Sequence, residues 1–372
     1  MVNTINTLYA ASEQAHRTLT SELQFKEIDL RFIALDQTRG LAITAMILAH
    51  FGPGIYERIG LEGWLLDLLL LMGRLATPTF IAIFGITLAF VYVPKAAVDP
   101  IAMRQKLIKR SGVVLLAAIA VSTPEFILTF NSDTYWANSL FLNLLLNFYG
   151  ILTFYVLAIF SCGLIIGPLS AAPYAFSLIF GSTLIFVGSV LGYDAWPSVG
   201  PGLLEWFRFV LVSGKYAYLV NLGCLLMLVA FGSHLKRELK ANSGVNLTLL
   251  TAGIATLLCG LAVGRIVGWR TVADLHSKYD APPQLWYLSA VIGTMFLVIA
   301  LFNSFKIPAV SFIMEHTGRN PLSIYVAHAF VLPAVAFLRF WFPFLPDALH
   351  TSIPMLVFLL YWTRIIYQSS RS

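Results

Sequence analysis

Long apolar runs separated by short polar connections are the dominant pattern in this chain. A helix needs about 20 apolar residues to cross the hydrocarbon core of a membrane, and windows of about 19 residues mark about ten such runs. The runs are 35–51, 72–93, 107–130, 139–166, 174–192, 215–234, 246–265, 285–304, 319–342 and 351–367. The predicted fold class is therefore all-α, a polytopic membrane helical bundle of about ten transmembrane helices.

Composition excludes a water-soluble domain. The chain is 58% hydrophobic and 11% charged, whereas a soluble domain carries roughly 25% charged residues. The net charge of +6 does not indicate nucleic acid as a partner, because Lys and Arg gather in the cytoplasmic loops of membrane proteins. Cys162, Cys224 and Cys259 lie in apolar runs without CxxC spacing, so we predict neither disulfides nor a metal site.

The order of charges predicts the topology. Residues 1–34 form a polar segment without signal-peptide character, and residues 35–372 form a single transmembrane domain. With the N-terminus inside, the basic clusters at 95–110 and 236–240 lie in cytoplasmic connections, and both termini are expected in the cytoplasm. The segment Gly63–Met72 is expected to be an interfacial helix before the second run.

The first run carries a polar stripe formed by Asp36, Arg39 and His50. At about 100° per residue, Arg39 and His50 fall within roughly 20° of each other, and Asp36 lies about 60° from Arg39. The rise of 1.5 Å per residue separates Arg39 from His50 by about 16 Å along one face. Alternatively, Asp36 and Arg39 form only an ion pair at the membrane boundary, and His50 lies at the interface.

A basic cap opens the third run. It contains four cations within seven residues, namely Arg104, Lys106, Lys109 and Arg110. One interpretation is topological anchoring. The other is a phosphate-binding patch, because Arg and Lys pair well with phosphate oxygens.

The ninth run begins with Arg319 and Asn320 and contains Tyr325 and His328. Tyr325 and His328 share a helix face because they are three residues apart. They could take part in chemistry, or they could simply form hydrogen bonds between packed helices.

Acidic and aromatic residues gather in the segments predicted to face outward. Glu125 near the end of the third run, and Asp274 and His276 in the connection 266–284, are candidates for binding a sugar. The alternative is a solvated loop with an interfacial aromatic belt.

Several motifs resemble the acyltransferase 3 family and the wider transmembrane acyltransferase group, which includes heparan-glucosaminide N-acetyltransferase-like proteins. Arg39 and His50 match its Arg-x10-His signature. The segments Ala76–Phe90, ATPTFIAIFGITLAF, and Thr317–His328, TGRNPLSIYVAH, are similar to two other helices of the family. Ala281–Leu288, APPQLWYL, resembles a Pro-Pro segment of the glucosaminide-acetyltransferase branch.

This resemblance implies a membrane-bound acyltransferase. An acyl group, expected to be acetyl, would move from cytoplasmic acyl-CoA to a hydroxyl or amine of a carbohydrate or lipid-linked acceptor, with O-acyl transfer favoured and no metal required. His50 would act as general base, Arg39 would position the donor, and Asp36 would orient Arg39. The expected acyl-CoA contacts are Arg104, Lys109, Arg110, Arg319, Asn320, Tyr325 and His328, and the expected acceptor contacts are Glu125, Asp274 and His276.

Two other functions fit the same polar residues. A transporter or flippase for a polar or lipid-linked solute would also line its path with intramembrane charges, and a non-catalytic membrane scaffold would tolerate their loss. We expect a multi-pass protein of a bacterial plasma (inner) membrane, in contact with membrane lipid.

Overall fold

The apolar runs form helices that pack side by side. A computed structural model describes residues 32–59, 63–130, 150–192, 203–241, 243–269 and 284–371. Within these ranges no residue forms a β-strand. The prediction of an all-α polytopic bundle is confirmed.

Fourteen α-helices and two short π-helical turns are described. They are α1 (Ile33–Ile59), α2 (Trp64–Thr87), α3 (Val93–Val98), α4 (Pro100–Phe130), α5 (Ile151–Ala171), α6 (Pro173–Val190), α7 (Leu203–Arg208), α8 (Tyr218–Lys240), α9 (Val245–Ile266), α10 (Leu285–Ser304), α11 (Pro308–Arg319), α12 (Pro321–Ala329), α13 (Val331–Trp341) and α14 (Asp347–Arg371). The π-helical turns are Leu88–Tyr92 between α2 and α3, and Phe209–Ser213 after α7.

Eight helical stretches of the described residues are long and apolar enough to cross a membrane. They are Trp64–Val98, Ile151–Ala171, Pro173–Val190, Leu204–Lys240, Val245–Ile266, Leu285–Ser304, Pro321–Trp341 and Asp347–Arg371. The first and third predicted runs correspond to α1 and α4, which are 27 and 31 residues long. Both helices carry charged residues in their first two turns, Asp36 and Arg39 in α1 and Arg104 and Lys106 in α4, which lower their mean hydropathy.

The structure differs from the predicted runs in several places, and the sixth run, predicted as 215–234, becomes a helix only at Tyr218 and extends to Lys240. The predicted interfacial helix Gly63–Met72 is instead the start of the continuous helix α2. The fourth run ends at Ala171, five residues later than predicted. The ninth run is divided into α12 and α13, and α11 precedes it as a separate helix. Pro308 and Pro321 each open a helix, which explains why α11 and α12 are separate elements.

Helix α1 packs against α2 on one side and α11 on another, and it also contacts α10 and α12. The crossing with α11 is a backbone contact at Gly40 and Gly318. A Cβ atom on Gly40 would overlap the Met314 carbonyl group, and one on Gly318 would overlap the Asp36 carbonyl group. Small residues allow this kind of close helix approach in membranes.

We predict that Gly40→Ala lowers the apparent unfolding temperature of the detergent-solubilised protein. The added methyl group forces α1 and α11 apart, and overpacking of this kind typically costs about 1–3 kcal/mol. Gly112→Ala is the matched control, because Gly112 is also helical and a Cβ there meets no atom within 4 Å. Equal unfolding temperatures for the two variants would show that the close approach contributes little to stability.

Candidate active site

Arg39 joins three elements at one end of α1. Its Nη1 donates to Asp36 Oδ1 at 3.0 Å and to the Gly318 carbonyl oxygen at 3.1 Å. Its Nη2 donates to Thr87 Oγ1 at 2.8 Å. The predicted pairing of Asp36 with Arg39 is present, and the further bonds to α2 and α11 hold the guanidinium in one orientation.

A polar cavity of about 570 Å³ opens beside Arg39. Asp36, Arg39, Arg319 and Asn320 line it together, so the structure brings two predicted cofactor contacts next to the stripe of α1. The remaining lining residues are Ser323, Tyr361, Ile365, Gln368 and Ser369. Arg319 also forms an ion pair with Glu315. We call this region, with Arg39, the arginine end.

Arg110 of the basic cap lies close enough to Arg39 for the two guanidinium groups to interact electrostatically. Its Nη1 donates to the Tyr92 hydroxyl at 2.8 Å. Two like charges repel, and an anion bound beside both would relieve this repulsion. All four cations of the basic cap are exposed on α4, and Arg110 is the one whose charge reaches Arg39.

His50 and His328 form a hydrogen-bonded pair farther along α1. His50 Nδ1 lies 3.0 Å from His328 Nε2, and the two rings are stacked with centroids 5.2 Å apart. Tyr325 contacts the His328 ring edge-on, with centroids 5.0 Å apart. The structure therefore places two predicted residues of the ninth run against the predicted base of the first run. We call this group the histidine site.

The hydrogen bonds of the pair define which nitrogen of His50 is a base. His328 Nδ1 faces the Tyr325 carbonyl oxygen, which can only accept, so Nδ1 carries the hydrogen. In a neutral ring Nε2 of His328 is then the acceptor, and Nδ1 of His50 donates to it. Nε2 of His50 is left with its lone pair, as a general base requires. His50 is exposed while His328 is buried, so an acceptor can approach the first ring.

Lys215 is a cation whose effect on the histidine site the sequence did not reveal. Its ammonium group interacts electrostatically with His50. Its neighbour Tyr216 packs against the same core cluster as Tyr325. Lys215 and Tyr216 lie in a turn between Ser213 and α8, and no pattern in the sequence links Lys215 to His50.

The predicted acceptor contacts are not placed. Asp274 and His276 lie outside the described residues, as does the side chain of Glu125. Across the described ranges, no group of three or more His, Cys, Asp or Glu residues could hold a metal ion.

A family comparison identifies the group to which this arrangement belongs. Residues 31–305 match the model described as heparan-alpha-glucosaminide N-acetyltransferase, catalytic. The chain belongs to this family. It is therefore an acetyltransferase, and membership supports membrane acetyltransferase activity on a carbohydrate. No curated protein sequence matches the chain significantly.

The match confirms the glucosaminide-acetyltransferase branch of the resemblance, whereas the likeness to the acyltransferase 3 family stays a prediction. Arg39, His50 and Ala281–Leu288 lie within the matched residues. His328 lies beyond them, so its pairing with His50 rests on the structure.

We predict that His328→Leu lowers kcat for acetyl transfer about 10- to 100-fold, the range seen when a metal-bound imidazole loses the group that orients it. The ring of His50 loses its acceptor, while the arginine end is unchanged, so KM for acetyl-CoA should change little. Initial rates with acetyl-CoA and glucosamine measure this. His350→Leu, which removes a buried histidine bonded to the Phe342 carbonyl group, is the control. A wild-type rate for His328→Leu would contradict the orienting role.

Proposed function

We propose that the protein transfers an acetyl group from acetyl-CoA to an amine or hydroxyl of a carbohydrate acceptor, with His50 as general base. The observation that carries this proposal is the His50–His328 hydrogen bond, which leaves Nε2 of an exposed histidine unprotonated. Family membership supports the acetyl group and the carbohydrate.

The donor is proposed to bind with its phosphates at the arginine end. Arg39 and Arg319 line the polar cavity there, and each is already paired with a carboxylate, of Asp36 and Glu315 respectively. Arg110 adds a cation whose hydrogen bond goes to a neutral hydroxyl. Charge-assisted bonds from Arg to phosphate are strong and directional, so Arg110 is the best candidate for a direct phosphate contact.

The separation between the two ends of the site suits coenzyme A. Arg39 and His50 are eleven residues apart in one helix, which is about 16 Å along its axis. An extended pantetheine arm bridges a comparable distance between the phosphates and the thioester. A donor with its phosphates beside Arg110 would thus present its thioester near His50.

In this reaction Nε2 of His50 acts first as a base and then as an acid. Nε2 of His50 takes the proton as the acceptor nitrogen or oxygen attacks the thioester carbonyl carbon. The tetrahedral intermediate expels the CoA thiolate, which receives the proton from His50. The carbon–sulfur bond breaks, an amide or ester forms, and free CoA is released.

The two substrates are proposed to reach the site from opposite sides of the membrane. Positive charges predict that the arginine end faces the cytoplasm, where acetyl-CoA is available. His50 then lies toward the outer half of the membrane, within reach of an acceptor from the other side.

We also propose a bacterial plasma membrane as the location of the protein.

We predict that His50→Ala lowers acetyl transfer about 10²- to 10⁴-fold, the usual contribution of a general base. Purified full-length protein, acetyl-CoA and glucosamine are used, and release of free CoA thiol is followed. Mild alkali then distinguishes an ester product, which is cleaved, from an amide. His234→Ala in α8 is the control. Wild-type rates for a folded His50→Ala protein would refute His50 as the base.

We predict that Arg110→Ala raises KM for acetyl-CoA about 10- to 100-fold, since a hydrogen bond to a charged group contributes about 1.5–3 kcal/mol. The kcat value should change less, because Arg110 is remote from the thioester. Arg265→Ala removes an exposed arginine that stacks on Trp269, and it serves as the control. An unchanged KM for Arg110→Ala would indicate that the basic cap only anchors α4.

A further inference from the structure

The membrane-crossing stretch Trp64–Val98 changes its helical register near its end. Helix α2 passes into the π-helical turn Leu88–Tyr92 before α3 begins at Val93. A π-helical turn bonds residue i to residue i+5 instead of residue i+4, and such turns are rare and frequently lie at functional sites. This turn therefore indicates a local requirement for the wider register.

The wider register brings together the partners of two arginines. Thr87 Oγ1 accepts a hydrogen bond from Arg39 at 2.8 Å, and the Tyr92 hydroxyl accepts one from Arg110 at 2.8 Å. In an α-helix, at about 100° per residue, side chains five residues apart point about 140° away from each other. In a π-helical turn, where residue i bonds to residue i+5, they return to nearly the same face. The turn thus allows one short segment to hold both guanidinium groups.

Lys236 of α8 provides a hydrogen bond to the middle of this turn. Its Nζ donates to the Phe90 carbonyl oxygen at 2.8 Å. In an α-helix that carbonyl group would accept from the N–H of residue 94, but residue 94 is a proline, which has no N–H. Pro94 therefore disfavours the α-helical register at this point, and Lys236 stabilises the carbonyl group in the register that is present.

The burial of Lys236 argues against a simple anchoring role. Its exposed fraction is 8%, although it lies near the end of α8, where a lysine side chain could extend to the membrane surface. An ammonium group turned into an apolar bundle is costly, and charged residues at such positions usually have a function. The approach of α8 is close, because a Cβ atom on Gly232 would lie 2.9 Å from the Cβ of Ala89 and 3.0 Å from the Cα of Ile86.

We propose that Lys236 is a positioning residue for the phosphates of the donor. The inference rests on the proposed function, because it assumes that acetyl-CoA binds with its phosphates at the arginine end. Lys236 holds the π-helical turn through the Phe90 carbonyl group, and the two hydroxyl groups of the segment hold Arg39 and Arg110. Lys236 acts on the donor through these two arginines and does not contact it, because its ammonium group is buried.

The test compares Lys236→Met with Lys236→Arg in the full-length protein. Met removes the hydrogen-bond donor at similar length, so KM for acetyl-CoA should rise about 10-fold, the low end of what one hydrogen bond to a charged group contributes. The kcat value should stay within about twofold, because the reacting thioester lies at the histidine site. Arg keeps a donor and should restore most of the affinity. Lys240→Met, at the exposed end of α8, is the matched control and should behave as wild type.

A double-mutant cycle separates positioning from a general loss of stability. Tyr92→Phe removes the hydroxyl to which Arg110 donates, and it should also raise KM for acetyl-CoA. If Lys236 acts through the turn, Lys236→Met should raise KM less in the Tyr92→Phe background than in the wild type, because residues of one network are not additive. Full additivity, or a lower unfolding temperature with an unchanged KM, would overturn the assignment.

A second variant tests the same turn without removing a buried charge. Pro94→Ala returns the N–H that the α-helical register requires at position 94, so it weakens the preference for the π-helical turn. KM for acetyl-CoA should rise, as it does for Lys236→Met. This variant decides the question if Lys236→Met does not fold, as judged by size-exclusion elution, and an unchanged KM would then count against the positioning role.

The outcomes separate this inference from the proposed function. Binding of CoA to each folded variant is measured by titration calorimetry alongside the kinetics. If the wild type neither binds CoA nor consumes acetyl-CoA, the proposed function fails and this inference fails with it. If the wild type binds CoA, Arg110→Ala binds it weakly, and Lys236→Met and Pro94→Ala both bind it as tightly as the wild type, only the role of Lys236 fails.

Discussion

The direct backbone contact between α1 and α11 at Gly40 and Gly318 is the constraint on which the site depends. It brings the Gly318 carbonyl oxygen within reach of Arg39, and it fixes where α12 begins, three residues after Gly318. Because α12 carries Tyr325 and His328, the position of that crossing also determines the distance between the two histidines. One steric requirement thus sets the geometry at both ends of the stripe on α1.

The polar groups of the site are satisfied in ways that the low polarity of a membrane demands. The Arg39 guanidinium has a carboxylate, a carbonyl and a hydroxyl as partners on three different helices. His328 has both ring nitrogens engaged, one by a carbonyl and the other by His50. His50 has one ring nitrogen engaged by His328, and its side chain is exposed.

The sequence predicted the parts of the site that lie within one helix. Arg39, His50 and Asp36 were found because helical periodicity alone places them on one face. The contacts between distant segments were not predictable. Thr87 and Lys236 carry no motif, and the sequence pointed to His328 as a cofactor contact without indicating its bond to His50. These contacts arise from helix crossings and from a π-helical turn, which depend on packing rather than on local pattern. The same reason explains why Arg110 was not distinguished from Arg104 and Lys109, since all four cations of the cap look alike in the sequence.

The family match ends at residue 305, before the helix that carries His328. A protein cut at that boundary would keep Arg39 and His50 but lose the hydrogen-bond acceptor that orients the His50 ring, the Gly318 carbonyl group and the Arg319 side of the polar cavity. The stretch that matches the family model is therefore smaller than the unit that holds the His50 ring in this hydrogen bond. Transplanting activity between members of this family would require the C-terminal helices to be moved together with α1.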